Sequence, residues 1–269
     1  MGEVYRARDA RLNRFVAVKS LPGTAALDPE RRDRFAREAQ AIAALNHPNI
    51  VTVFSIEDVE DHVLITMELV EGHPLADLIP ERGLPIERLL PVAIAVADAL
   101  AAAHQKGITH RDLKPANIML GEGDQQGRVK VLDFGLAKLT DMSAQPGGSS
   151  AMPMGPLTGE GRILGTVAYM SPEQKKGRAI DSRSDLFSLG IILYEMAKGR
   201  GQRPFLGPMS AAMIRDMPPS VTELNADLVR IICRALAKDP ERRYQTAKDV
   251  RNDLEELKAS LDTGEALTL

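Results

Sequence analysis

The sequence predicts an α+β fold in two lobes, with a small antiparallel sheet and one helix followed by a larger, mainly helical lobe. The chain has 269 residues, 44% hydrophobic and 26% charged, a composition typical of a globular protein with a sizeable core. Short β-branched runs are concentrated before residue 70, whereas helical patterns dominate after Pro85. We therefore predict a small lobe over residues 1–70, a large lobe over residues 71–260 and a tail over residues 261–269.

The small lobe begins with strand and helix signals in alternation. The run Phe15 to Val18 is rich in β-formers and predicts a strand. Asp28 as cap and Pro29 in the first turn predict a helix that ends near Asn46. Four apolar residues at helical spacing predict its buried face: Phe35, Ala39, Ile42 and Leu45. Two further strands, over 51–54 and 63–68, are predicted to pair antiparallel across an acidic loop at 57–61.

The large lobe is predicted from four amphipathic or alanine-rich helices and two irregular segments. The helices are expected over 92–105, 185–198, 226–238 and 247–257. A polar turn over 121–127 separates two strand-like pieces. The segment 140–161 is rich in Gly, Pro, Ser and Met without a period, so we predict a flexible loop with a functional reason to exist.

Charge and cysteine content exclude several classes of function. Lys and Arg number 34 against 37 Asp and Glu, and the net charge of −3 gives no reason to expect nucleic acid as a partner. The single cysteine, Cys233, excludes an intrachain disulfide and a cysteine-rich zinc site, which favours a reducing compartment and a cytoplasmic location. Its apolar neighbours predict a core position. The longest apolar stretch, 92–103, is too short to span a bilayer, so no membrane segment is predicted in this chain.

One motif carries most of the functional information. The run His110-Arg111-Asp112-Leu113-Lys114-Pro115-Ala116-Asn117 is followed, after a strand signal, by Asp133-Phe134-Gly135. A lone Asp-Phe-Gly would be an ordinary polar turn, but the two motifs in this order resemble the eukaryotic-like (Hanks-type) bacterial serine/threonine protein kinases. The resemblance covers nearly the whole chain. It implies a bilobal protein-kinase-like fold and transfer of the γ-phosphate of ATP, with Mg²⁺, to Ser or Thr hydroxyls of proteins.

The resemblance also implies roles for the motif residues. Asp112 would orient the substrate hydroxyl and accept its proton, and Lys114 would contact the transferring phosphate. Asn117 and Asp133 would hold the magnesium ions. These residue types suit the chemistry, since phosphoryl transfer needs a carboxylate at the attacking hydroxyl, oxygen ligands for Mg²⁺ and cations along the phosphates.

The same resemblance implies an ATP site in the cleft between the two lobes. In Val16-Ala17-Val18-Lys19, the lysine would hold the α- and β-phosphates and pair with Glu38 of the following helix. Met67 would be the gatekeeper, beside backbone groups of Glu68 and Val70 that would meet the adenine edge. The remaining nucleotide contacts would come from Gly2 in the phosphate loop and from an apolar sandwich of Val4, Ala17 and Met119.

Regulatory and scaffold roles follow from the resemblance as well. The loop 140–161 precedes Ser171-Pro172-Glu173, the position of the activation segment, where Thr158 is the best candidate for activating phosphorylation. We expect this modification to include autophosphorylation, through self-association of two chains. Other residues would act on the scaffold: Thr166 at the catalytic loop, Asp185 as its brace, Arg243 as the partner of Glu173, and Ile42, Val53, His110 and Phe134 as a stacked hydrophobic spine.

The phosphate-loop pattern is incomplete. Of Gly-x-Gly-x-x-Gly-x-Val only the third glycine, Gly2, and the valine, Val4, are present, and the first strand is missing. Either Met1 is an internal methionine taken as the start, or the chain is a handicapped kinase. The second case leaves a pseudokinase-like scaffold with impaired ATP binding as the alternative function. A small-molecule kinase is disfavoured by Lys114-Pro115 and by the long segment before Ser171.

Overall fold

The computed structural model describes residues 3–22, 29–59, 62–123, 127–134, 167–204 and 224–263. Several parts of the sequence interpretation lie outside the described residues: Gly2, the helix cap Asp28, the loop 140–161, Thr158 and Thr166. Their predicted roles stay predictions. Asp112, Lys114, Asn117 and the other predicted catalytic and nucleotide-binding residues except Gly2 lie within the described part of the chain.

Four antiparallel strands form the first sheet. They are β1 (Val4–Asp9), β2 (Arg14–Pro22), β3 (Val53–Val59) and β4 (His62–Glu68), in the spatial order β1-β2-β4-β3. The strand predicted over Phe15 to Val18 is confirmed as part of β2. The acidic loop predicted over 57–61 is wrong for residues 57–59, which pair with β4 up to the Val59–His62 partners. Glu57 is exposed in this pairing, and an antiparallel sheet tolerates charged side chains on its solvent face.

The first helix, α1 (Pro29–Ala43), packs against this sheet. Phe35, Ala39 and Ile42 are buried, as their helical spacing predicts, and they share one hydrophobic cluster with Val63 and Ile65 of β4. Leu45, the fourth residue of the predicted stripe, is also buried but follows the helix and belongs to the second cluster. The burial of one face of α1 therefore fixes the helix on the sheet.

The rest of the described chain is mainly helical. A second antiparallel sheet has the order β5-β6-β7, from β5 (Gly72–Pro74), β6 (Ile118–Gly121) and β7 (Val129–Val131). The helices are α2 (Leu75–Leu78), α3 (Ile86–Gln105), α4 (Pro172–Lys175), α5 (Arg183–Lys198), α6 (Ala226–Ala235) and α7 (Ala247–Thr263). All four predicted helices are present. The structure begins α3 earlier, after Pro85, ends α6 at Ala235 and extends α7 to Thr263.

Helix α5 lies at the centre of the larger hydrophobic cluster, and almost all of its side chains are buried. At Gly190 an added Cβ would lie 2.9 Å from the Cβ of Ala235, so glycine permits the close approach of α5 and α6. Cys233 is half-buried rather than a core residue, which corrects the sequence expectation. The phase of α6 buries Leu228, Ile231, Ile232 and Ala235 and leaves Cys233 at the boundary. None of the helices described here is long and apolar enough to cross a bilayer.

Candidate active site

The loop between α3 and β6 holds Asp112, Lys114 and Asn117 within hydrogen-bond distance. Lys114 Nζ donates to Asp112 Oδ2 at 2.7 Å. Asn117 Nδ2 donates to the Asp112 carbonyl at 2.9 Å and lies 3.4 Å from Asp112 Oδ2. A 3-10 turn over Pro115–Asn117 brings the amide back to Asp112. Lys114 and Asn117 are buried, whereas the Asp112 side chain keeps 30% of its surface exposed, so a substrate can reach the carboxylate.

Lys19 and Asp133 form an ion pair between residues that are 114 positions apart in the chain. Lys19 Nζ lies 2.7 Å from Asp133 Oδ2, with side-chain exposures of 12% and 26%. Asp133 has φ of 64°, a left-handed conformation that costs energy for a residue with a Cβ. The surrounding contacts must therefore hold this backbone in place. The pair joins β2 of the first sheet to the segment that follows β7.

Backbone contacts connect Asp133 to the loop that holds Asp112, Lys114 and Asn117. The N–H of Leu132, next to Asp133, donates to the Asn117 carbonyl at 2.9 Å. His110 Nε2 lies 2.8 Å from the Leu132 carbonyl, and its ring packs on Phe134 with centroids 4.8 Å apart. The structure thus assembles five predicted residues into one connected group: Lys19, Asp112, Lys114, Asn117 and Asp133.

Asp185 of α5 braces this loop, as the resemblance implies. Its Oδ2 accepts the backbone N–H of His110 at 2.8 Å, and its Oδ1 accepts that of Arg111 at 2.9 Å. Asp185 is only 1% exposed, and His104 Nε2 provides a further contact at 2.8 Å. Because hydrogen bonds to a charged acceptor are stronger than neutral ones, this buried carboxylate rigidifies the loop before Asp112.

The residues expected around the nucleotide lie on β1, β2, β4 and β6. Ala17 and Met67 are register partners across β2 and β4, and both are buried. Val4 is the register partner of Lys19 and is 61% exposed. Glu68 ends β4, and the rest are half-buried: Val70 after β4, Met119 on β6 and Glu38 on α1. The approach of Glu38 to Lys19 stays a prediction.

Sequence reasoning did not identify Lys130, which lies in the apolar strand β7. Its Nζ donates to Glu68 Oε2 at 2.8 Å and to the Ile50 carbonyl at 3.2 Å. The backbone N–H of Thr52 also donates to Glu68 Oε2, at 3.2 Å. The only sequence signal was a charged residue between Val129 and Val131 in a strand that is buried on both sides. Lys130 therefore holds the segment that is predicted to contact adenine.

We expect the Lys130→Met variant to lose about 1–3 kcal/mol of unfolding free energy, because the Ile50 carbonyl loses its buried donor and Glu68 Oε2 keeps only the Thr52 N–H. Urea denaturation measures this loss. The matched control is Lys176→Met at an exposed position, where the change should stay within about 0.5 kcal/mol. Equal stability of the two variants would contradict a structural role for Lys130.

In the segment Ser171-Pro172-Glu173, Ser171 caps α4 and Pro172 is its first residue. An ion pair between Glu173 and Arg243 holds the segment in place. Arg243 donates to both carboxylate oxygens of Glu173, at 2.7 and 2.8 Å, so the predicted pair is present. Ser184 Oγ donates to Glu173 Oε1 at 2.6 Å. Burial by itself raises the pKa of Glu173, but the hydrogen bonds from Arg243 and Ser184 outweigh it and lower that pKa to about 2. Glu173 is therefore ionised throughout the physiological range.

The donor set of the site suits a magnesium ion bound together with a ligand. Within the described ranges, no group of three or more His, Cys, Asp or Glu side chains could hold a metal ion. Asn117 and Asp133 offer one amide oxygen and one carboxylate. Mg²⁺ is commonly bound by one or two carboxylates with waters and substrate phosphates, so two protein ligands are compatible with its chemistry.

Comparison with known sequences identifies relatives over almost the whole chain. The protein kinase domain model matches residues 1–254. The chain is 44% identical over 268 residues to a "probable serine/threonine-protein kinase" of Streptomyces coelicolor, covering 95% of this chain and 38% of that protein. It is 43% identical over 267 residues to serine/threonine-protein kinase PknB of Mycobacterium tuberculosis, covering 94% and 40%. The chain thus spans about two fifths of the length of these relatives.

Solved structures give the same relationship. The crystal structure of the Mycobacterium tuberculosis PknI kinase domain aligns with a TM-score of 0.67 at 28% identity. The alignment covers 96% of this chain and 91% of that one. A two-lobed arrangement of sheet and helices is therefore shared over nearly the full length.

Proposed function

Because this chain belongs to the protein kinase family, we propose that it transfers the γ-phosphate of ATP to Ser or Thr hydroxyls of proteins. The observation that carries the proposal is the connected group of Lys19, Asp112, Lys114, Asn117 and Asp133. Its members come from β2, the catalytic loop and the segment after β7, and they meet through contacts of 2.7 to 2.9 Å. Such convergence of distant polar residues is expected of a reaction site.

Asp112 is the proposed base. Its carboxylate would accept a hydrogen bond from the substrate hydroxyl and take up the proton as the hydroxyl oxygen attacks the γ-phosphorus. The bond from this phosphorus to the β,γ-bridging oxygen would break, and ADP would leave with that oxygen. Lys114, which contacts Asp112 Oδ2, would stabilise charge on the transferring phosphate. The buried amide of Asn117 holds the Asp112 backbone, so the base is pre-oriented and little reorganisation is needed in the transition state.

Asn117 and Asp133 are the proposed magnesium ligands, and Lys19 is the proposed cation at the α- and β-phosphates. When bound, Mg²⁺ supplies neutralisation of phosphate charge. Lys19 already faces the Asp133 carboxylate, so its ammonium stands beside the proposed metal ligand. Glu38 would hold Lys19 from the other side, and Gly2 would contribute to the phosphate loop.

The adenine contacts are proposed at the end of β4. Backbone groups of Glu68 and Val70 would meet the adenine edge, with Met67 as gatekeeper. Val4, Ala17 and Met119 would contact the ring faces. The burial of Ala17 and Met67 next to each other supports this proposal, since an apolar wall with nearby backbone polar groups suits a flat heterocycle.

We propose two lobes, at residues 1–70 and 71–260, followed by a tail at 261–269. The two hydrophobic clusters among the described residues support this division. Proteins bearing Ser or Thr are the proposed substrates, including a second copy of the chain at Thr158. The cytoplasm, which supplies ATP, is the proposed location.

The pseudokinase-like scaffold is not favoured as an alternative function. The proposed catalytic carboxylates and Lys19 are connected, and the relatives are named kinases.

The Lys19→Met variant tests the proposal. We expect phosphate transfer to fall by roughly 100-fold or more, because the cation at the phosphates is lost and Asp133 loses its partner. Transfer is measured with ATP radiolabelled at the γ-phosphate, onto casein and onto the chain itself. Lys258→Met, at an exposed position of α7, is the matched control and should retain wild-type transfer. Absence of transfer by the wild-type chain would reject the proposed function.

A further inference from the structure

Gln174 of α4 uses both ends of its side-chain amide. Its Oε1 accepts the backbone N–H of Ser171 at 2.9 Å, and the Ser171 Oγ accepts the backbone N–H of Gln174 at 3.3 Å, which together form a capping box. Its Nε2 donates to the Arg111 carbonyl at 2.7 Å. The side chain is buried, so neither end is compensated by solvent when its partner is lost.

The chemistry of the two partners requires an amide at position 174. The Ser171 N–H needs an acceptor, and the Arg111 carbonyl needs a donor. A glutamate would keep the first contact and set a carboxylate oxygen against the Arg111 carbonyl. A methionine of similar size would lose both contacts. Among side chains of this length, only glutamine supplies both functions.

The Arg111 carbonyl belongs to the peptide unit that leads directly into Asp112. Arg111 has φ of 69°, a strained backbone that must be held by its surroundings. Asp185 holds its N–H at 2.9 Å, and Gln174 holds its carbonyl at 2.7 Å. The two contacts come from different helices, α5 and α4, and restrain the backbone on both sides of the strained Cα.

We propose that Gln174 is a positioning residue for Asp112, acting through the Arg111 carbonyl. It links the start of α4, just after the segment 135–166, to the backbone that orients the base. This inference rests on the proposed kinase function and assigns Gln174 a part in it. Loss of the bond removes one restraint on the Arg111–Asp112 peptide, whose N–H still donates to His110 Nδ1 at 3.3 Å, and lets the carboxylate shift. The nucleotide contacts on β1, β2, β4 and β6 are unchanged.

The test compares Gln174→Glu with Ser171→Ala. Gln174→Glu should lower kcat by roughly 10- to 100-fold, the scale of a misplacement near 1 Å, and leave the KM for ATP within about twofold. Ser171→Ala removes the hydroxyl cap of α4 and keeps the bond to Arg111, so its kcat should stay within about twofold of wild type. Gln174→Met should resemble Gln174→Glu, and it serves if the glutamate variant does not fold.

Amide hydrogen exchange gives a readout that does not depend on activity. The peptide covering residues 108–114 should exchange faster in Gln174→Glu than in wild type or Ser171→Ala, because the Arg111 backbone has lost one restraint. Unchanged kcat and unchanged exchange in both Gln174 variants would overturn the inference. So would an equal fall of kcat in Ser171→Ala, which would assign the effect to α4 stability. An inactive wild-type chain would reject the proposed kinase function. In that case amide exchange alone decides the role of Gln174, and exchange of residues 108–114 that is the same in the Gln174 variants as in wild type would reject that role.

Discussion

The Asp112→Asn variant is expected to lose kcat by roughly 10²–10⁴-fold, the range over which general base catalysis contributes. The substitution keeps the size of the side chain and its contact with Lys114, but the amide cannot accept the proton of the substrate hydroxyl. Binding of Mg-ATP should change little, because the proposed nucleotide contacts lie on β1, β2, β4 and β6 and the proposed metal ligands are Asn117 and Asp133. Steady-state transfer and equilibrium titration with ATP measure the two quantities separately.

A matched control is available at Asp262, an exposed aspartate of α7 far from the motif residues in sequence. Asp262→Asn should leave kcat within about twofold of wild type. Undiminished transfer by Asp112→Asn would refute its role as base. A parallel loss of ATP binding would show that the variant disturbs the loop as a whole, through Lys114 and Asn117, rather than the proton transfer.

The Arg243→Met variant is expected to lose about 3–5 kcal/mol of unfolding free energy, because it leaves the buried Glu173 carboxylate without its cationic partner. Arg243 is 2% exposed, and besides Glu173 it donates to three backbone carbonyls, at Ala237, Arg183 and Lys238. A loss of this size is a large part of the stability of a typical domain. Urea denaturation with a constant m-value measures it.

The neighbouring Arg242 provides the control, since it is exposed in the 3-10 turn Pro240–Arg242. Arg242→Met should change the unfolding free energy by less than about 0.5 kcal/mol. If both variants lose the same stability, the turn rather than the ion pair with Glu173 is responsible.

The ion pair between Arg243 and Glu173 predicts that the unfolding free energy depends on pH. The folded state lowers the pKa of Glu173 from 4.5 to about 2, so the unfolded chain binds a proton at higher pH than the folded one. The stability from this group is therefore present above pH 4.5 and is lost as the pH falls toward 2. We expect the unfolding free energy of Arg243→Met to change less steeply with pH over this window. The variant removes the cause of the low Glu173 pKa, and with it the uptake of about one proton on unfolding. An unchanged slope in denaturation series between about pH 5 and about pH 2.5 would contradict this assignment.

Local patterns predicted most of the secondary structure. The stripe Phe35, Ala39 and Ile42 identified the buried face of α1, and the four helices predicted for the larger part are present, whereas the short helices α2 and α4 were not predicted. The errors occurred where periodicity competes with tertiary contact. Residues 57–59 look like an acidic loop, yet pairing with β4 satisfies their backbone groups. Cys233 lies in an apolar run, but the rotation of α6 places it at the edge of the core.

The motif residues were identified from the chain alone, whereas several of their supports were not. Asp112, Lys114 and Asn117 lie within six positions, so their proximity follows from a single turn. Lys130 and Gln174 have no sequence signal of comparable strength. Their partners, Glu68 and Arg111, lie 62 and 63 positions away in the chain, and only the packing of β7 and α4 brings them within 2.8 Å.

The order of residues was sufficient for the family resemblance, for the strand and helix types and for the choice of the candidate reacting groups. These depend on local spacing, which period and motif report directly. The tertiary structure decided which distant groups meet: Lys19 with Asp133, Lys130 with Glu68, and Gln174 with Arg111. Burial of apolar surface drives folding, but it is not directional and does not specify which polar groups meet. Each buried polar group needs a hydrogen-bond partner, and the packing of whole helices and strands decides which partner it has.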